Sequence, residues 1–146
     1  MRLYLDACCM NRPFDDHSED RVRLEGEAIL TIITWVQDGR YSLVKSDILD
    51  FEISKIPDTE RKKKVVSFLD LAESSIHVDS GITKRAKDIR ALGIKDVDAM
   101  HIACAENAQV DIFLTTDDGI IKKYNKNVKY FKIKIQNPLT WMAEVV

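Results

Sequence analysis

Five short apolar runs punctuate the chain, and the stretches between them place apolar residues at every third or fourth position. The runs are RLYLDACC at 2–9, YSLVKS at 41–46, SIHVD at 75–79, DIFLTTD at 111–117 and VKYFKIKIQ at 128–136. Their length and their β-branched and aromatic content predict strands. The intervening periodicity predicts helices over about 18–38, 47–56, 59–74, 81–92, 96–109 and 118–125, with one more after Asn137-Pro138. Strands that alternate with helices build a mostly parallel sheet covered on both faces. The expected fold is therefore α/β, a three-layer α/β/α sandwich. No repeat, low-complexity tract or Pro/Gly/Ser linker interrupts it, so a single domain over 1–146 is expected.

Ligands of such sheets bind outside the carboxyl ends of the strands, and acids stand there. Asp6 follows Leu3 and Leu5, and Asp117 follows Ile112, Phe113 and Leu114. The stretch KDVDAMHIACAENA, from Lys95 to Ala108, reads as a helix apolar nearly all round, hence a core helix. Asp96 is expected as its N-cap, with Val97, Met100, Cys104 and Ala108 on one stripe. Asp98, in its second position, then lies at the rim reached by the following strand. In SDILDFEISKIP, Ser46 is a plausible N-cap and Leu49, Ile53 and Ile56 form an apolar stripe on which Glu52 also falls. The alternative for Glu52 is a surface acid paired with Lys55 or Arg61. Four carboxylates at one rim repel one another and raise their pKa values unless a cation neutralises them. An all-oxygen donor set suits Mg²⁺ or Mn²⁺, and a metal-assisted reaction at phosphorus.

Composition adds limits. With 45% hydrophobic and 32% charged residues the chain has an ordinary globular balance. No apolar run approaches the roughly 20 residues of a membrane span, and the first residues lack a signal-peptide pattern. A cytoplasmic protein with no membrane association is expected. Cys8, Cys9 and Cys104 are odd in number and form no C-x-x-C pair, so they predict neither a disulfide framework nor a zinc site. The formal charge of −2 gives no global attraction to nucleic acid, but its distribution is uneven. Arg61 to Lys64 form a basic run, and six lysines with no acid lie between Gly119 and Ala143. These runs are either solvated faces or a surface that tracks phosphates.

In YLDACCMNR with Asp6, SDILDFEIS with Glu52, DAMHIACA with Asp98 and LTTDDG with Thr115 and Asp117, the chain resembles PIN domains, the nuclease fold of VapC-type toxins. The resemblance covers nearly the whole chain in the right order. It implies Mg²⁺- or Mn²⁺-dependent endonucleolytic cleavage of single-stranded RNA, with Asp6, Glu52, Asp98 and Asp117 as catalytic and metal-binding residues. It also implies a cognate antitoxin that blocks the site. A homodimer, and one metal or two, stay open. Either Asp117 or Asp118 faces the metal while the other caps the next helix. Asn11 and Arg12 bond the site or a phosphate, or else form a turn with Pro13; Lys122 and Lys123 are candidates for RNA phosphates. His101, one turn after Asp98, approaches a metal or a water, or is structural, as lone core histidines more often are. Other classes fit less well. A HAD-type phosphatase needs a second Asp where Cys8 stands. A phospho-accepting receiver needs a lysine where Gln136-Asn137-Pro138 stands, and its candidate Asp79 reads as a helix cap. A non-catalytic RNA-binding PIN module has no positive support, because all four acids are present.

Overall fold

The computed structural model describes residues 1–146. Its strands are β1 (Arg2–Leu5), β2 (Ser42–Ser46), β3 (Ser74–Ile76), β4 (Ile112–Leu114) and β5 (Lys134–Gln136). All pair in parallel, in the order β3-β2-β1-β4-β5. Leu3, Tyr4 and Leu5 on β1 and Ile112, Phe113 and Leu114 on β4 are all buried, as strands covered on both faces must be. Leu3, Tyr4 and Leu5 register with Ile112, Phe113 and Leu114, so the two strands end level. From β1 the chain moves outward through β2 and β3, then returns to the other side of β1 as β4. That reversal is the topological switch point, where the crevice for a ligand opens. A receiver domain has the order 2-1-3-4-5, so the topology excludes that reading.

The helices are α1 (Ala7–Asn11), α2 (Asp20–Gln37), α3 (Asp47–Ser54), α4 (Thr59–Leu69), α5 (Ser80–Arg90), α6 (Asp96–Asn107), α7 (Asp118–Lys126) and α8 (Pro138–Val145). They complete the three-layer α/β/α sandwich, with α2 against α8 and α5 against α6. None is long and apolar enough to cross a membrane. Local chemistry sets most of their starts. Ser46 caps α3 through Leu49 N–H at 3.2 Å, Asp79 caps α5 through Ile82 N–H at 2.9 Å, and Asn137 with Pro138 opens α8. Each such cap stabilises by about 1 kcal/mol.

Several sequence expectations are corrected. Asp96 is not a cap: Lys95 holds that position without a side-chain bond, and Asp96, the first helical residue, pairs instead with Arg90 at 3.1 Å. Asp98 is consequently the third residue of α6. Val97 is exposed, while Ala99 and residues 101–106 are buried, so the helix presents a broad face rather than the expected stripe. Of the two alternatives for Asn11 and Arg12, the turn with Pro13 forms, as a 3₁₀ turn, Arg12–Phe14, that follows directly on α1. The last expected strand keeps only its final three residues, because Val128–Tyr130 form a second 3₁₀ turn.

Candidate functional site

The carboxyl ends of β1, β2 and β4 place four acids around one cavity of about 100 Å³, lined by Asp6, Ala7, Cys8, Glu52, Asp98, His101 and Asp117. Asp6 leaves β1 in extended conformation and caps α1, its Oδ1 accepting Cys9 N–H at 3.2 Å and the Cys8 thiol at 2.6 Å. It is 4% exposed, and burial holds its carboxyl well above the usual range. Asp117 caps α7 in the same way, Oδ1 accepting Gly119 N–H at 2.8 Å and Ile120 N–H at 3.2 Å. Thr115, fully buried, fixes that corner by accepting Asp117 N–H on Oγ1 at 3.1 Å. The sequence left Asp117 and Asp118 as alternatives for lining the site and capping the helix. Asp117 does both, and Asp118 turns out to Arg21.

Glu52 enters from the second turn of α3, where Nε2 of His101 bonds its Oε1. Asp98 enters from the first turn of α6. Its half-buried carboxyl is raised first by burial and then by the charges of Asp117 and Glu52. The surface alternative for Glu52 is not what forms: Lys55 lies over the Phe51 ring at 5.0 Å and Arg61 pairs with Asp15 at 2.9 Å.

None of the four acids is ion-paired to a lysine or arginine. The contrast with a larger cavity of about 230 Å³, lined by Gly81, Arg85, Glu106 and Lys132 among others, is instructive. There Arg85 grips Glu106 at 2.6 and 3.2 Å, and the charges neutralise one another within the protein. The acid cavity has no such internal partner, so a cation is what its donor set fits. Asp6 also has Cys8 and Cys9 close by, their donor atoms within 4.8 Å of one another, a set that would favour a softer metal. The Cys9 thiol, however, donates to Leu114 O at 3.3 Å, and burial pushes it well above its usual pKa. It stays a thiol. The carboxylate oxygens of Asp6, Glu52, Asp98 and Asp117 are the other donors on the cavity wall, of the kind that hard divalent cations take.

A second cavity of about 180 Å³ shares Asp98 and Asp117 and adds Gly93, Lys95, Gly119 and Lys123 to its walls. Gly93, at φ +97°, turns the chain into α6, and a Cβ there would come within 3.1 Å of the Lys123 side chain. Lys122 is exposed beside Lys123 on α7. Asn11 and Arg12 do not line either cavity. Asn11 donates to Ala7 O at 2.9 Å, and Arg12 bonds Glu25 at 2.9 and 2.8 Å.

Sequence reasoning missed two groups. One is Cys8, for which the sequence indicated neither a disulfide nor a zinc site but which lines the cavity. The other is Glu25, fully buried and held by Arg12, Arg21 and Asn137. Its signal was an acid in register with Ile29, Ile32 and Val36 on the inner face of α2.

An all-parallel α/β/α sandwich with an acid cluster at its switch point defines the class. The chain belongs to the PIN domain family, whose model matches residues 3–126. No curated protein matches it. Among solved structures, it is similar to VapBC2 from Rickettsia felis bound to a DNA fragment from their promoter, with a TM-score of 0.59 at 15% identity over 94% of this chain and 98% of that one. It is similar also to VapBC-1 from nontypeable Haemophilus influenzae, with a TM-score of 0.61 at 13% identity over 95% and 99%.

Proposed function

We propose that this protein is a metal-dependent endoribonuclease that hydrolyses phosphodiester bonds of single-stranded RNA, acting as the toxin of a toxin–antitoxin pair. The observation that carries the reading is the convergence of four carboxylates on one small cavity without an ion-paired lysine or arginine. Asp6, Glu52, Asp98 and Asp117 hold Mg²⁺ or Mn²⁺ in this reading. When bound, such a cation lowers the pKa of water and stabilises charge at phosphorus. The chain's own residues do the rest. Asp6 and Asp117 are fixed by the helix starts they cap, Thr115 sets the angle of the Asp117 corner, and Lys123 and Lys122 receive backbone phosphates beside the acids. Asn11 and Arg12 stand outside the cavity, Asn11 bonding back to Ala7 O and Arg12 holding Glu25. The antitoxin is a small protein whose Arg or Lys side chain enters the acidic cavity and replaces the metal charge; the likeness to VapBC proteins supports such a partner.

The test is purified protein, free of any neighbouring gene product, incubated with mixed single-stranded RNAs in Mg²⁺, Mn²⁺ or EDTA. Cleavage should require the metal and disappear in Asp98→Asn. Cleavage that survives exhaustive chelation overturns the reading. Co-expression with the adjacent reading frame should inhibit, and a chain harmless to growth when expressed alone counts against the toxin role.

A further inference from the structure

Behind Glu52 lies a line of buried polar groups that the proposed reaction does not use. Tyr4, in the middle of β1 and stacked on Phe113 at 5.3 Å, places its hydroxyl 2.6 Å from Ser46 Oγ and 2.6 Å from His101 Nδ1. His101 Nε2 bonds Glu52 Oε1, and Ser46 Oγ is 3.2 Å from Leu49 N. Tyr4 and Ser46 are fully buried and His101 is 1% exposed, so water cannot replace a missing partner here, and each unsatisfied group is costly.

With His101 a neutral imidazole, the Glu52 carboxylate fixes the direction of the bonds from His101 back to Ser46, whose oxygen also accepts from Leu49 N–H. A backbone N–H can only donate, and a carboxylate can only accept. Leu49 N–H donates to Ser46 Oγ, the Ser46 hydroxyl to Tyr4, the Tyr4 hydroxyl to His101 Nδ1, and His101 Nε2–H to Glu52. Of the two neutral tautomers of His101, the one with its proton on Nε2 satisfies all the atoms together. The line spans three elements that each contribute to the rim: β1, the start of α3 and the first turns of α6.

We propose that Tyr4 and His101 are positioning residues that hold Glu52, through a one-way line of hydrogen bonds anchored at the cap of α3, in the orientation the acid cavity requires. The proposal rests on reading that cavity as a metal centre. Glu52 is the only one of the four acids that neither caps a helix nor sits in its first turn. Its longer side chain reaches the cavity from the second turn of α3, and His101 is its one side-chain partner. The partner that orients a metal-binding side chain typically changes metal affinity or activity by about 10–100-fold when removed.

Two readouts test it. In metal-free protein with ¹⁵N-labelled histidine, His101 should show a single locked tautomer protonated on Nε2, and Glu52→Gln should move its signals. Mn²⁺ affinity, read from metal-induced thermal stabilisation, should fall by about 10-fold in Tyr4→Phe and further in His101→Leu, while His101→Gln, which keeps a donor near Nε2, recovers part of the loss. In the Glu52→Gln background, Tyr4→Phe should add less than about two-fold, because both changes act through one group. The same variants should lower kcat on RNA with KM unchanged. An Nδ1-protonated or exchanging His101 overturns the proposal, and so does a Tyr4→Phe protein with wild-type Mn²⁺ affinity. A locked tautomer in a protein that binds no metal overturns the metal-centre reading alone, because the line of bonds is detected without metal.

Discussion

Arg21 grips Asp118 with two parallel bonds, Nη1 to Oδ2 at 2.7 Å and Nη2 to Oδ1 at 2.6 Å. The contact ties α2 to the first turn of α7 and turns Asp118 away from its neighbour. Asp118 accordingly lines neither cavity, while Asp117 lines both. Two adjacent aspartates thus hold different positions. Asp118→Asn is expected to keep RNA cleavage near the wild-type rate, whereas Asp117→Asn should reduce it by orders of magnitude. Equal losses in a single-turnover assay would erase the distinction.

Asp98 supplies a pH dependence. Burial, followed by the charges of Asp117 and Glu52, raises its folded pKa above the unfolded value. The folded state therefore binds more protons between the two values, and this group's contribution falls as pH rises through that window. In EDTA, Asp98→Asn should melt near the wild type at about pH 4 and above it at neutral pH, a gap that widens from the usual carboxylate pKa upward. Saturating Mn²⁺ should reverse the order at neutral pH. Asp96→Ala is the control: its exposed pair with Arg90 makes a change of only about 0.5 kcal/mol expected, with turnover retained.

Lys122, Lys123 and Lys126 extend from the acid cavity along α7. Replacing all three with Gln should weaken RNA binding and reduce the magnitude of the salt slope by about 2, the value for three backbone contacts on a single strand. Filter binding of a catalytically dead variant at several salt concentrations measures it. An unchanged slope would make these lysines a solvated face.

Glu25 is buried against Arg12, Arg21 and Asn137. Removing a cation from such a pair leaves a charge without compensation, so Arg12→Leu should destabilise by about 3 kcal/mol. Adding Glu25→Gln, which deletes the charge at constant volume, should recover part of that loss. Urea denaturation of the single and double variants checks the sign.

The sheet was legible because strands buried on both faces leave continuous apolar runs, and the helices because their inner faces repeat. The four acids were legible because topology places strand ends and following helix starts at one rim. What failed was local. Asp96 and Asp98 both fit an N-terminus by composition, and only the placement of Arg90 draws Asp96 outward. Val128–Tyr130 alternate like a strand, but β4 is too short to pair with them. His101 stood one turn from Asp98 in the sequence, yet its bond to Glu52 joins residues of two distant segments. No periodicity within either helix reports that.

Asp6 and Asp117 accept their cap bonds on Oδ1, and asparagine offers the same acceptor in the same place. Charge and helix initiation can therefore be separated at both positions by exchanging a single atom. Asparagine there should yield an inert protein with its native loops, able to retain uncut RNA long enough for a complex to be crystallised, whereas alanine would loosen the very corners that the strand would rest against.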